Sequence, residues 1–174
     1  MTFSYDISLA TPDDIPGILT VQEPNLPDHG GSLSVRQTAD WFRNAILEKS
    51  IVVGRRNGQV VGYVLGTSLA AKAHVRIIQT MLRAFPPPHD CYLYGPVCIA
   101  ENERGNGLAA ALFKVLQTHM DGRPLMTFVR ADNAPSLRAH HKMGMRDLGA
   151  FTNEGVAYIA LAYDQPSEVD IHSK

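Results

Sequence analysis

Between Leu93 and Leu116 the chain reads LYGPVCIAENERGNGLAAALFKVL. Its middle, Glu103-Arg104-Gly105-Asn106-Gly107, sets a cation and two glycines within one turn, and Leu108-Ala109 follow at once. Leu108, Leu112, Val115 and Leu116 recur at helical spacing, so a helix opens directly after the turn. A strand, a glycine turn and a helix N-terminus direct backbone N–H groups at one point, an arrangement suited to a phosphate. Gly105 and Gly107 admit dihedrals closed to other residues and let a ligand approach the main chain. Arg104 adds positive charge, Ala109 is small enough for close approach, and Asn106 and Leu108 lend their amides. Upstream, Gly95-Pro96 breaks an apolar run. A bulge or splay there would release the N–H groups of Val97, Cys98 and Ile99 from the sheet ladder.

Two phosphate-binding patterns overlap in the turn. Gly105-Asn106-Gly107-Leu108-Ala109-Ala110 matches G-x-G-x-x-A, the dinucleotide fingerprint, with Asp132 at about the distance of its ribose-binding acid. That fingerprint belongs to the opening βαβ unit of a parallel domain, whereas here a long antiparallel section precedes it. The Gly-Lys-Ser/Thr of an ATPase P-loop is absent. The second pattern is Arg104-x-x-Gly107-x-Ala109, directly after an interrupted strand.

The flanking elements must hold this turn in place. Phe3, Tyr5, Ile7 and Leu9 alternate and predict a strand over Phe3–Leu9. Thr11-Pro12-Asp13-Asp14 predicts a helix start, with Thr11 as N-cap, and Pro24 limits that helix. Residues 23–34 form a loop by composition, and Ser34 is read as the cap of a second helix through Trp41, Phe42, Ile46 and Leu47. Ile51-Val52-Val53 and Val60–Leu65 are β-branched runs joined by Arg56-Asn57-Gly58-Gln59, a hairpin signature. Val75, Ile78, Leu82 and Phe85 predict a helix over Leu69–Phe85, serving either as packing or as a wall over a substrate site. Cys91–Ile99 is a fourth strand, and Leu125–Val129 a fifth, apolar throughout and read as central and parallel. Asn133-Ala134-Pro135-Ser136 opens another helix, and Met145–Phe151 and Val156–Tyr163 are the last strands. The class is α/β (α+β): a mixed, partly antiparallel central sheet with a splay at strand four, flanked by helices. One domain over 1–165 and a polar tail over 166–174 are expected.

The Arg104-x-x-Gly107-x-Ala109 turn resembles the acyl-CoA pyrophosphate loop of the GNAT superfamily of N-acetyltransferases. A second segment, Asn133-Ala-Pro-Ser136-Leu137-Arg138-Ala-His140-His-Lys142-Met-Gly144-Met145, resembles the family pattern Asn-x-x-Ser-Leu-x-x-Tyr-x-Lys-x-Gly-Phe. With the element order, the resemblance covers about residues 3–163. It implies acetyl-CoA as cosubstrate, its pyrophosphate on residues 104–109 and its pantetheine arm along the fourth strand. An N–H near Val97 would act as an oxyanion donor. Asn133 and Ser136 would bind pantetheine or cap their helix. His140 stands where the family commonly has the tyrosine that protonates the leaving thiolate, and histidine can donate a proton near neutral pH. Candidates for the base are Tyr94, nearest the splay, with Tyr92, His89, Asp90, Glu23 and His29. The resemblance implies acetyl transfer to a primary amine of a small molecule. A peptide acceptor, or an acyl-CoA sensor without catalysis on the same fold, are the alternatives.

Composition narrows the rest. The 174 residues are 45% hydrophobic and 19% charged, enough for a core and unlike a disordered chain. A formal net charge of -1 argues against nucleic acid as partner. No run is long and apolar enough for a membrane span, and MTFSYDISLATPDD has no secretory pattern, so a cytoplasmic protein is expected. Cys91 and Cys98 lie too far apart on one strand to bridge and are read as free thiols, with no metal site. The last two strands offer a surface for a homodimer.

Overall fold

The computed structural model describes residues 4–33 and 35–165. Twelve elements follow in the order read from the sequence. They are β1 (Asp6–Leu9), α1 (Ile15–Gln22), α2 (Ala39–Leu47), β2 (Ile51–Arg56), β3 (Gln59–Ser68) and α3 (Arg76–Ala84). Then come β4 (Tyr92–Ile99), α4 (Leu108–His119), β5 (Leu125–Arg130), α5 (Ala134–Lys142), β6 (Arg146–Asn153) and β7 (Val156–Tyr163). The sheet is mixed, ordered β1-β2-β3-β4-β5-β7-β6. No helix among the described residues is long and apolar enough to cross a membrane. The chain groups into two compact units: the part up to Gly66 with Gly95–His119, and Thr67–Tyr94 with the part from Met120 onward.

In the first unit the hairpin turn forms because Asn57 (φ 51°) and Gly58 (φ 77°) both take the left-handed conformation that a two-residue turn requires. It fixes the β2–β3 register, with Val53 opposite Tyr63 and Gly54 opposite Gly62, and β1 adds antiparallel to β2. The chain enters α1 through a 3-10 turn at Pro12–Asp14. There the Thr11 amide donates to the Asp14 carboxylate at 2.8 Å. The Arg55 guanidinium grips both oxygens of that carboxylate at 2.7 and 2.6 Å, tying the start of α1 to β2. Ile18, Phe42, Ile51, Val53, Tyr63 and Cys98 form the centre of this unit's core.

Two expectations change here. The N-cap of α2 is Thr38, whose side chain accepts from the Trp41 amide, and not Ser34, which lies outside the described residues. The cause is a clamp. The buried Gln22 side chain donates to the Gln37 carbonyl (3.0 Å) and accepts from its amide (2.8 Å), so the helix starts only after residue 37. Leu47, read on the apolar face of that helix, is 76% exposed. Phe3 and the 166–174 tail also lie outside the described residues.

In the second unit β5 is parallel to β4 (Tyr92 opposite Leu125), as its apolar run predicts, and antiparallel to β7 (Val129 opposite Ile159). The predicted helix over 69–85 divides into a 3-10 turn at Ala70–Lys72, held by the Ser68 hydroxyl accepting from the Ala71 amide, and α3 from Arg76. Ile78 and Met81 of α3 join Leu93, Met126, Phe151 and Ala160 in a second core. Arg76 pairs with Glu154 at 2.9 Å and Thr80 donates to Asn153 at 3.3 Å, so α3 is fastened to the β6–β7 turn. Packing is therefore a shown role of this helix.

Candidate active site

The glycine turn lies in the first unit. Gly105 (φ 77°) and Gly107 (φ 80°) both adopt the left-handed conformation, and the space a Cβ would fill at each is open. Glycine is needed here for the backbone and leaves room in front of it. The first bond of α4 beyond the turn runs from the Ala111 amide to the Gly107 carbonyl at 3.1 Å. The N–H groups of Leu108, Ala109 and Ala110 therefore have no helical partner behind them. Together these features form a cradle for an anion.

The height of α4 is set by what lies beneath its first residue. A Cβ on Gly54 would stand 2.7 Å from Leu108 Cδ1, and one on Gly62 would stand 2.9 Å from Leu108 Cδ2 and from Ile99 Cδ1. These glycines face each other across β2 and β3, so the buried Leu108 sits on a saddle without side chains.

Arg104 is exposed and has a structural partner beside its charge. Its amide donates to the Glu101 carbonyl at 3.3 Å, and its guanidinium donates to Asn25 Oδ1 at 3.1 Å. It braces the turn against the loop after α1. Glu103, directly before it, is only 3% exposed. Its carboxylate accepts from the Tyr5 hydroxyl and from Arg56 Nη1, both at 2.7 Å, and bonds the Asn106 side chain. The Tyr5 and Arg56 donors hold the Glu103 carboxyl below its ordinary range.

Of the three β4 residues, Cys98 is wholly buried in the first core, while Val97 and Ile99 alternate to the other side and are half-buried. Burial pushes the Cys98 thiol up to about 12, although the Tyr63 hydroxyl donates to its sulfur. Cys91 is likewise buried, and both thiols are free.

In the second unit Asn133 is the N-cap of α5, its Oδ1 accepting from the Ser136 amide at 3.3 Å. Ser136 in turn orients His140. The His140 Nδ1–H donates to the Ser136 carbonyl at 2.7 Å, with the Ser136 hydroxyl 3.4 Å from the same nitrogen. In neutral imidazole this bond places the proton on Nδ1 and leaves a lone pair on Nε2. His140 is 8% exposed, and burial lowers its pKa below the ordinary 6.5 against the raising effect of the Ser136 bond. Its ring meets Tyr94 edge-on, with centroids 5.9 Å apart. Tyr94 is 1% exposed, and burial drives its phenol far above the ordinary range, which keeps it protonated and unsuited to act as a base.

Of the other base candidates, all but His89 are engaged or buried. Tyr92 is fully buried and Asp90 pairs with Arg123 at 3.1 Å. Glu23 pairs with Arg36, and His29 stands 3.3 Å from the Glu23 carboxylate. His89 is exposed. The sequence reading missed Glu103, Tyr5 and Arg56, whose only signal is an acid directly before the Arg-x-x-Gly turn, and the two glycines under Leu108.

Comparison with known proteins gives a consistent result. A family model described as acetyltransferase (GNAT) family matches residues 16–145. No curated protein matches. Among solved structures, an N-acetyltransferase from Staphylococcus aureus Mu50 is 21% identical, with a TM-score of 0.70 over 92% of this chain and 98% of its own. A Salmonella typhimurium protein classed provisionally as an acetyltransferase and solved with its cofactor acetyl-CoA is 16% identical, with a TM-score of 0.70 over 94% and 95%. The ribosomal-protein-S18-alanine N-acetyltransferase from Escherichia coli is 15% identical, with a TM-score of 0.65 over 95% and 97%.

Proposed function

The chain belongs to the acetyltransferase (GNAT) family, and from that premise we propose that it transfers an acetyl group from acetyl-CoA to the primary amine of a small molecule. The observation that carries this reading is the cradle at residues 105–110. Two left-handed glycines with open space before them lead into amides that have no partner within α4, above a glycine saddle. Such a cradle suits a pyrophosphate.

When bound, acetyl-CoA supplies an activated acetyl thioester. Gly105, Asn106, Gly107, Leu108 and Ala109 would hold its pyrophosphate, with Arg104 bracing the turn. The amides of Val97 and Ile99 would take its pantetheine arm, and the Val97 N–H would face the thioester oxygen as charge grows there. The Cys98 amide, expected with them from the sequence, alternates to the β3 side, as does that of Ala100, which donates to the Val61 carbonyl at 2.8 Å. Asn133 and Ser136 contribute by shaping α5 and by orienting His140. One proton must leave the amine nitrogen and one must reach the departing sulfur. The Nε2 lone pair suits His140 to take up a proton and hand it on, so that it serves as a relay. The buried Tyr94 phenol holds its ring from the side. Because His140 must first gain a proton before it can give one, the acyl-CoA sensor remains the second reading.

Thermal melting with acetyl-CoA, CoA and NAD tests the cosubstrate. A ligand at 100 times its Kd adds about 2.7 kcal/mol. CoA species are expected to stabilise and NAD not, and Gly107→Glu is expected to abolish the CoA effect by strain and repulsion. Stabilisation by NAD alone would refute the proposal. Thiol release across a panel of small amines and peptides then tests turnover. Release on small amines supports the acceptor class, release on peptides alone overturns it, and CoA binding without turnover on any amine establishes the sensor.

A further inference from the structure

Glu103 is an anion placed where an anion should do harm. It is 3% exposed and directly precedes the turn assigned above to a pyrophosphate. A buried carboxylate so close would repel that ligand unless its charge were balanced. Its partners come from three separate stretches. Tyr5 lies just ahead of β1, Arg56 closes β2 at the hairpin turn, and Asn106 belongs to the glycine turn itself. The Asn57-Gly58 hairpin holds Arg56 in a fixed place. Arg56 has 30% of its side chain exposed against 3% for Glu103, so the pair is shielded on the carboxylate side.

We propose that Arg56 and Glu103 are positioning residues for acyl-CoA: with Tyr5 they form a charge-balanced bracket that sets the glycine turn and keeps the Glu103 anion from opposing the phosphates. The inference rests on the CoA reading above. It gives the two partners opposite electrostatic signs, which a purely structural bracket would not. Removing Arg56 leaves the Glu103 anion beside the cradle with its neutral donors and without its cation. Glu103→Gln keeps the shape and an acceptor while leaving the cation.

The test is calorimetric titration of the full chain with CoA at low and moderate salt, with melting curves for each variant. Arg56→Met is expected to weaken CoA binding by about tenfold. Acetyl-CoA KM should rise in parallel and kcat at saturation should be kept. Glu103→Gln is expected to bind CoA at least as tightly as the unaltered protein at low salt. The double variant is expected to fall between them. S-acetylpantetheine, which lacks the pyrophosphate, is expected to show unchanged kinetics in all three. Asp14→Asn, which breaks a different ion pair of the same unit, controls for lost stability and should leave CoA affinity alone. If Arg56→Met does not fold, the sign of the Glu103→Gln effect decides. Weakening of CoA by both single variants, no change in either, or equal weakening by Asp14→Asn at equal loss of melting temperature would overturn the bracket. Absence of CoA binding by the unaltered protein would instead overturn the reading beneath it.

Discussion

At the scale of single residues, His140 shows how a position and its chemistry separate. Its place is legible in the spacing Asn133-x-x-Ser136-Leu137-x-x-His140. Its proton is not, because that depends on a carbonyl one helical turn back and on burial against Tyr94. With its pKa below 6.5, the ring is neutral at pH 7. The activity limb belonging to His140 is therefore expected below pH 6.5, with the rate falling as the ring gains a proton and losing its acceptor. His140→Phe should remove that limb and spare CoA affinity. A rate in the unaltered protein that instead falls as pH rises from 6.5 to 8, and does not do so in the variant, would show His140 acting as an acid. Arg104 makes the same point, since its charge is evident in the sequence and its engagement by Asn25 is not.

At the scale of elements, the position of α4 depends on side chains that are missing. Gly54→Ala would place a Cβ 2.7 Å from Leu108 Cδ1. Leucine yields in part, so a loss of about 1–3 kcal/mol is expected by denaturant titration. CoA affinity should drop as well, because the lifted helix carries the cradle amides with it. Unchanged affinity at that loss of stability would show that the saddle is packing alone. Thr38→Ala is expected to cost about 1 kcal/mol through the lost cap of α2, with CoA affinity unchanged. Most elements were legible because their signals are local: the Asn57-Gly58 turn, the Thr11-Pro12 start and the spacing of Leu108, Leu112 and Leu116. The misplaced cap of α2 and the late start of α3 were not. Gln22 and Gln37 decide the first across a loop, and the Ser68–Ala71 bond decides the second. The Tyr5–Glu103 contact, 98 residues apart in sequence, leaves no local pattern at all.

At the scale of the whole molecule, the buried carboxyls and His140 act in one direction. Asp14 is held below its ordinary 3.8: burial opposes its charge, and the Arg55 and Thr11 bonds outweigh that. Glu103 is held below 4.5 by Tyr5 and Arg56. Each lowered carboxyl gives stability that is present above its ordinary value and lost as pH falls through the lowered one. The lowered His140 favours the neutral ring in the folded state, so its contribution is present above 6.5 and lost on acidification below it. Melting temperature is expected to be highest near neutrality and to fall in two stages, the first below pH 6.5 and the second below about pH 4.5. His140→Phe should remove the first stage and Asp14→Asn should flatten the second. A melting temperature that rises on acidification from pH 7 to 5 would contradict this order.

One consequence of the buried thiols reaches into chemistry. Cys98 is a nucleophile by type on the strand proposed to lie along the thioester, yet it is fully enclosed and stays a thiol at any ordinary pH. Cys91, pushed up to about 11, is little more reactive. Neither cysteine is thus placed to take up the acetyl group, which disfavours a double-displacement route through an acyl-cysteine. Both substrates would have to be bound together before anything is transferred, and a thiol reagent added to the folded protein would read released CoA against a nearly silent background.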